Sequence, residues 1–453
     1  YSPTIQADLD AYSDEFNLPR TQVEIIYAQG AQPTVDADWA QEITLDVQLA
    51  HALAPKADIR LVLAQSPLTI DLISGDVNTV SAVDVAVQAA KDGGVVSMSF
   101  GSDETNADLA LETHFNNADT TKITFVASAG NVGGMISHPA VSPSVIAVGG
   151  TSLELDPVTG ARLSETAWED GGGGVSTQFT APFYQLGLTV GGQPIGDYRA
   201  VPDVAMHADP DNGYAIYSAT PDSSGDSGWL IVGGTSAATA LWSAILTLGN
   251  QLRLSKGLDY LGNQAHNAIY NVARINQNNH FYDIRQGDNG NPALRGFDLA
   301  TGWGSPRVDR LLNALAGNLP GPMKVNATFT KAMTAIGATP AVFAANGPAA
   351  FNYTKTTVSP VFSFIQPWGM TAVIATDGPL DRLGKKAFKG TGTALVTTQE
   401  GFSYTFSLLI KGMIYRDSDG TPYLKGEFYS VDANGNRLTN SFQPILEGKF
   451  RRS

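Results

Sequence analysis

The run Gly233-Gly234-Thr235-Ser236-Ala237-Ala238 puts a hydroxyl on a glycine turn, at the head of an apolar stretch from Ala237 to Leu252 that predicts a buried helix. Glycines let the chain turn sharply and let a substrate approach the backbone. A helix N-terminus presents unpaired N–H groups and a partial positive charge, which favour a developing alkoxide. Ser236 is therefore a candidate nucleophile, provided that a nearby group can take its proton.

The six histidines (His51, His114, His138, His207, His266 and His280) include none in a His-Gly-Thr setting, so a histidine base is not the expected acceptor. Glu42 and Asp46 are better placed. Residues four apart share one helix face. The same stretch carries Trp39, Ile43, Val47, Ala50 and Ala54 on one stripe and Leu45, Leu49 and Leu53 on another. Such a helix is apolar nearly all round and should be buried, bringing both carboxylates together out of water. Two buried carboxylates repel, so one should hold a proton with a raised pKa. A pair sharing one proton can accept from a serine hydroxyl and return it to a leaving amine.

Short apolar runs alternate with helical patterns through the first two thirds of the chain. Val23–Ala28, Ile59–Ala64, Val95–Phe100, Ile123–Ala127 and Val145–Val148 read as buried strands, and Trp39–Leu53, Ala82–Lys91 and Ala107–Asn117 as amphipathic helices. This order predicts an α/β fold with a doubly wound, mostly parallel sheet and helices on both faces. Ligands in such folds sit at the carboxyl ends of strands, which makes Ser99-Phe100-Gly101 and Ser128-Ala129-Gly130-Asn131 site candidates.

The 453 residues suggest two or three domains. Residues 1–322 carry 14 Lys and Arg against 35 Asp and Glu, a net of −21, whereas residues 323–453 carry 14 against 8, a net of +6. A catalytic domain over 1–316, a Gly/Pro linker over 317–322 and a β-rich domain over 323–453, either barrel or sandwich, are expected. The third rests on alternating segments (Phe402–Ile410, Gly412–Tyr415 and Tyr423–Val431) and on Asp-Gly and Asn-Gly turns at 419–420 and 434–435. The acidic first part argues against a nucleic-acid partner and suits work at low pH. No uninterrupted apolar run reaches membrane-spanning length. The chain has no cysteine, which excludes disulfides and thiol catalysis. Tyr rather than Met at position 1 suggests a trimmed, mature form.

An ordered set of motifs resembles the sedolisin family, the serine-carboxyl peptidases. Glu42-Ile-Thr-Leu-Asp46, Ala54-Pro55-Lys56-Ala57, Ser97-Met98-Ser99-Phe100-Gly101, Ala147-Val148-Gly149-Gly150-Thr151-Ser152, Gly172-Gly173-Gly174-Val175-Ser176, Val201-Pro202-Asp203-Val204, the Gly-Gly-Thr-Ser run and Thr301-Gly302-Trp303-Gly304-Ser305-Pro306 follow in the family's order. The resemblance implies a subtilisin-like fold and acid-active proteolysis through an acyl-enzyme. Ser236 would be the nucleophile, Glu42 the base and Asp46 its orienting partner. It also implies a secreted enzyme, here expected to be a monomer, made with an N-terminal prodomain that is cleaved away. A calcium ion would be held by the side chains of Asp283 and Asp298 and the carbonyls of Ile284, Leu294 and Gly296, clamping a domain without disulfides.

Three positions depart from the family pattern. Asn131 stands where an aspartate is usual. An aspartate needs a proton before it can donate to an oxyanion, whereas an amide donates at any pH, so the pH optimum should be less acidic than is common in the family. Ala240 replaces a usual proline, and Phe100 a usual tryptophan in a segment expected, with Ser99 and Gly101, to hold substrate as an added β-strand. The leading expectation is an endopeptidase acting on proteins. A tripeptidyl exopeptidase, or a binding protein working through a basic C-terminal surface around Lys385-Lys386, are the alternatives. The Asn326-Ala327-Thr328 and Asn352-Tyr353-Thr354 triplets fit glycosylation acceptors.

Overall fold

The computed structural model describes residues 1–75, 80–185 and 188–317, and between 323 and 452 the strands alone. The expected linker residues 318–322, the turns at 419–420 and 434–435 and the Lys385-Lys386 pair lie outside the described residues. The chain forms two compact units, Tyr1–Pro182 with Leu188–Gly317, and Phe183–Gly187 with Asn318–Ser453.

The first unit follows the alternation read from the sequence. Its elements are α1 (Ile5–Glu15), β1 (Val23–Tyr27), α2 (Ala37–Leu53), β2 (Ile59–Leu63), α3 (Ala82–Ala89), β3 (Gly94–Met98), β4 (Ile123–Ser128), β5 (Val145–Leu155), β6 (Val204–His207), α4 (Thr235–Ser255) and α5 (Ala265–His280). β3, β4, β5 and β6 pair in parallel, in the order β6-β5-β4-β3. β4 is buried at every position, as a central strand covered on both faces must be. β1 and β2 form a separate parallel pair with Val23 opposite Ile59. The strand Arg162–Ala167 runs antiparallel beside β5.

The expected helix over Ala107–Asn117 is broken. Asn106–Leu111 is a 3-10 helix and only Glu112–Phe115 is α-helical. The cause is local hydrogen bonding: Asp108 accepts from the Thr105 N–H in a capping box, which starts a tight turn. Asn117 then accepts from Asp119 N–H and starts the next one.

The second unit is one antiparallel sheet. Met323–Ala332 pairs with Ala341–Tyr353 and with Leu446–Arg452. The ladder continues through Pro422–Ser430, Ser403–Arg416, Ala387–Thr397, Thr371–Thr376 and Thr357–Ile365. Thr357–Ile365 pairs back onto Ala341–Tyr353, closing a ring of strands that leaves those edges paired. Segments 402–410 and 412–415, separate in the sequence reading, are one strand, Ser403–Arg416.

Candidate active site

Two glycines fix the nucleophile's position. Gly233 packs so tightly that a Cβ would lie 2.5 Å from the Ala208 carbonyl oxygen. Gly234 has φ of 102°, a conformation costly for any side chain, and its N–H donates to Ala208 O at 2.5 Å. α4 starts at the next residue, so Ser236 is in the first turn and only 6% exposed. An N–H so close to the helix start has no intrahelical acceptor.

α2 opens on Asp36, which accepts from Trp39 N–H at 3.0 Å. Its two apolar stripes go to different partners, as their angular separation requires. Leu45 and Leu49 pack on Ala237, Ala240 and Leu241 of α4. Ile43 and Val47 pack with Leu63 of β2 and with Ile5 and Leu9 of α1. The helix is thus clamped against the turn that carries Ser236. Glu42 and Asp46 are left lining a cavity of about 770 Å³ with Ser99 and Phe100.

The acids are half-buried as residues, yet their carboxyl groups are enclosed. Glu42 Oε1 is sequestered from solvent and has no well-aligned hydrogen bond. Burial pushes the Glu42 carboxyl up to about 7, and the nearby Ser236 and Ser99 hydroxyls pull it partly back. Asp46 lies well above the ordinary carboxylate range, first through burial and then through the charge of Glu42. The Ser99 hydroxyl donates to Asp46 Oδ1 at 2.7 Å. Ser99, expected from the sequence to contact substrate, is thus also a hydrogen-bond partner of the acid pair. Phe100 packs partly buried against the sheet core and Gly101 is exposed.

Asn131 is tied to Thr235, the residue before the serine. Its Oδ1 accepts from the Thr235 N–H at 2.8 Å and from the Thr235 hydroxyl at 2.8 Å. A backbone N–H can only donate, so the carbonyl end of the amide is the end tied down and Nδ2 is left as a donor. Thr235 also accepts from Gly130 N–H at 3.2 Å. Thr235 is the clamp that sequence reasoning missed, although the Gly-Gly-Thr-Ser run contained it. The glycine run at 171–174 has a matching reason: Gly172 N–H donates to Gly130 O at 2.8 Å, and a Cβ on Gly172 would meet Ala129 O at 2.0 Å.

The two aspartates expected to hold calcium each accept from a backbone N–H of the 294–296 segment. Gly296 N–H donates to Asp283 Oδ1 at 3.0 Å, and Leu294 N–H to Asp298 Oδ2 at 2.9 Å. Asp298 is fully buried, and burial raises its carboxyl to about 6. The Gln277 side-chain nitrogen of α5 lies 3.2 Å from Asp283 Oδ1, 3.3 Å from Gly296 O and 3.0 Å from Trp303 O. One electropositive N–H₂ among three oxygens marks a nest whose donors suit a hard cation in kind. Arg285 pairs with Asp283 Oδ2 at 2.7 Å and competes for that carboxylate. Among the described residues no three His, Cys, Asp or Glu side chains are grouped so as to hold a metal ion, so a metal here would rely on backbone carbonyls.

A profile of the subtilase family (Peptidase S8) matches residues 45–304. The chain belongs to the subtilase family. Within it, this subtilase falls in the sedolisin branch. It is 32% identical over 343 residues to kumamolisin of Bacillus sp. (strain MN-32), covering 68% of this chain and 57% of that protein. It is 32% identical over 254 residues to tripeptidyl-peptidase 1 of Canis lupus familiaris, covering 49% and 43%. The solved Pseudomonas sedolisin (serine-carboxyl proteinase), complexed with two molecules of pseudo-iodotyrostatin, superposes with a TM-score of 0.55 at 26% identity, over 70% of this subtilase and 90% of that chain. The chain spans about half the length of these two sequence relatives. No described helix is long and apolar enough to cross a membrane.

Proposed function

We propose that this subtilase is a secreted serine-carboxyl endopeptidase. Ser236 Oγ attacks the peptide carbonyl carbon and passes its proton to Glu42. Asp46, holding its own proton, stabilises the Glu42 carboxylate before that transfer, so that the pair carries one negative charge rather than two. The oxyanion is held by Asn131 Nδ2 and the Ser236 N–H. Collapse breaks the C–N bond, the Glu42 proton goes to the leaving amine, and an acyl-enzyme forms. Water then attacks the acyl carbon, with Glu42 taking its proton and returning it to Ser236.

The observation that carries this reading is the enclosed acid pair on α2, with the Ser236 hydroxyl close enough to depress the pKa of Glu42. The test is covalent capture of Ser236 by a peptide aldehyde, together with a pH–rate profile on denatured protein using Ser236→Ala as the blank. Absence of capture at every pH from 3 to 8 would remove the assignment. Tripeptidyl-peptidase relatives favour a second reading, removal of tripeptides from a free N-terminus. Mass spectrometry of a digested insulin chain separates the two: internal cuts support the endopeptidase, and successive tripeptide loss the exopeptidase.

Asn131 as a neutral donor frees the oxyanion site from an acid requirement, so the low-pH limit falls to the Glu42/Asp46 pair. Calcium, held by Asp283, Asp298 and the carbonyls of Ile284, Leu294 and Gly296, is assigned a structural role: it would displace the Gln277 amide and supply the cross-link that a cysteine-free chain lacks. A prodomain removed on maturation and action as a monomer complete the proposal.

A further inference from the structure

A hairpin leads into the nucleophile's turn. β7 (Tyr214–Ser218) and β8 (Gly228–Val232) pair antiparallel, and β8 ends directly before Gly233. The register sets Tyr217 opposite Trp229 and Ala215 opposite Ile231. In an antiparallel pair, opposed residues alternate between those that exchange both main-chain bonds and those whose N–H and C=O point away from each other. Gln48 of α2 decides which kind these are. Its side-chain oxygen accepts from Tyr217 N–H at 2.9 Å, and its side-chain nitrogen donates to Tyr217 O at 2.7 Å. A main-chain N–H has one hydrogen to give, so Tyr217 and Trp229 are a pair of the outward kind. Two residues along, Ala215 and Ile231 are another.

The two edges of the hairpin therefore differ. Gln48 closes the β7 edge. The β8 edge presents the N–H and C=O groups of Trp229 and Ile231, and no other element bonds to them among the described residues. Such a row of open groups is a template for a further strand. The side chains around it are apolar and open to solvent: Trp229 is 45%, Ile231 62% and Phe16 48% exposed. The Trp229 ring lies 5.3 Å from that of Tyr217, 6.1 Å from that of Tyr12 and 5.7 Å from that of Phe16, the residue that ends α1. A free edge beside an aromatic cluster has the make-up of a strand-addition site, with main-chain groups for affinity and apolar surface for alternate side chains.

Continuity with Ser236 identifies the occupant. We infer that the polypeptide substrate, on the leaving-group side of the scissile bond, adds to β8 as a third, antiparallel strand and exchanges main-chain hydrogen bonds with Ile231 and then with Trp229. This rests on Ser236 as the nucleophile. β8 runs toward Ser236, and the leaving segment runs away from it, which fixes the antiparallel sense. Ile231 stands five residues before Ser236, a span of at most about 18 Å. The substrate residue that pairs with Ile231 therefore lies within about five residues of the cut, and the one that pairs with Trp229 two residues farther along. Paired residues put their side chains on one face, so apolar side chains at these two alternate positions pack beside Ile231 and Trp229. The edge is separate from Ser99-Phe100-Gly101 and recognises the opposite end of a long substrate.

The experiment measures kcat/KM for two quenched-fluorescence peptides that are identical up to the scissile bond and carry two or eight residues after it, the longer with leucine at alternate positions. The longer peptide is expected to be cut at least tenfold more efficiently. Ile231→Pro removes an outward N–H and no bond to β7, and should bring that ratio below threefold. N-methylation of the longer peptide at its third to seventh leaving-side residues should do the same with the protein untouched, which keeps the test decisive if the variant fails to fold. A ratio near one in the unaltered protein, or one that survives both changes, overturns the inference. So does a dimer that Ile231→Pro dissociates while peptide length has no effect, which would make a second copy the occupant. Cleavage of neither peptide counts against the peptidase assignment alone. The edge is then read by titrating Ser236→Ala with the eight-residue leaving segment: binding weakened at least tenfold by Ile231→Pro supports the added strand, and absence of binding overturns it.

Discussion

Replacing Glu42 by Gln should stabilise the protein, and only above a defined pH. The side chain keeps its shape and loses its ability to ionise. In the unfolded chain the carboxyl ionises near 4.5, in the folded one near 7, because burial disfavours the charge. Below pH 4.5 both states carry the proton and the carboxyl adds no pH-dependent cost. As pH rises from 4.5 to 7 the unfolded state releases its proton and the folded state keeps it, so stability falls through that window and levels off above it. The rise from 4.5 to about 7 corresponds to about 3 kcal/mol at pH 7.5. Asp46 adds in the same direction, since part of its own elevation comes from the charge on Glu42. The assay is urea unfolding at pH 4 and pH 7.5 in the Ser236→Ala background, read by tryptophan fluorescence; five of the six tryptophans, Trp39, Trp168, Trp229, Trp242 and Trp303, lie in the first unit. The variant should match its parent within about 0.5 kcal/mol at pH 4 and exceed it by about 3 kcal/mol at pH 7.5. A difference that stays constant between the two pH values would refute the enclosed, proton-holding pair.

Asn131→Ala should lower kcat about 10²–10³-fold, the usual loss for one oxyanion donor, with KM little changed. Asn131→Asp should retain activity only on the acid side, moving the optimum down, because a carboxyl donates only when protonated; an unshifted profile would count against the oxyanion role. Gly172→Ala should lower kcat at least tenfold and reduce the melting temperature, since its Cβ would drive the Ala129–Asn131 loop off the Thr235 clamp; unchanged kinetics would show that the loop's close packing is dispensable. Excess chelator should lower the melting temperature of the first unit, and calcium should restore it. An identical transition with and without chelator would remove the ion from the loop around Asp283 and Asp298.

Strand positions in the first unit were legible because parallel strands are covered on both faces and so read as continuous apolar runs. Ile123–Ser128 is the clearest case; Val145–Leu155 was read only as far as Val148, because the covered apolar run gives way to glycines and then to the exposed end of the strand. The 107–117 region misled because its apolar spacing suits a helix while Thr105, Asp108 and Asn117 bond to nearby backbone and divide it. Several motifs that carried the family resemblance turn out to be packing devices. Asp203, in Val201-Pro202-Asp203-Val204, is buried and holds Arg199 at 2.6 Å, Ala147 N–H at 2.8 Å and the Tyr270 hydroxyl at 2.6 Å. Trp303 N–H donates to Asp203 O at 2.9 Å, which ties the Thr-Gly-Trp-Gly segment to the same centre. Their recurrence marks a shared fold; they place no group at Ser236.

Within the site, Glu42 and Asp46 could be read from spacing because one helix carries both, and Ser236 because its turn is written in glycines. Ser99 and Thr235 could not be read in the same way. Their partners lie 53 and 104 residues distant, on other elements, and a hydroxyl gives no periodic signal. The roles they take follow from what they face. Ser99 donates to the acid that should keep its proton, which lowers the pKa of Asp46 against the strong upward push of burial. It therefore acts as a counterweight, limiting how tightly the pair holds its protons. Thr235 ties down the one end of Asn131 that cannot donate and so leaves the other end as the donor that the proposed oxyanion role needs. Each hydroxyl sets the donor or acceptor state of a neighbouring group, and that state depends on three-dimensional contact between elements that the sequence separates.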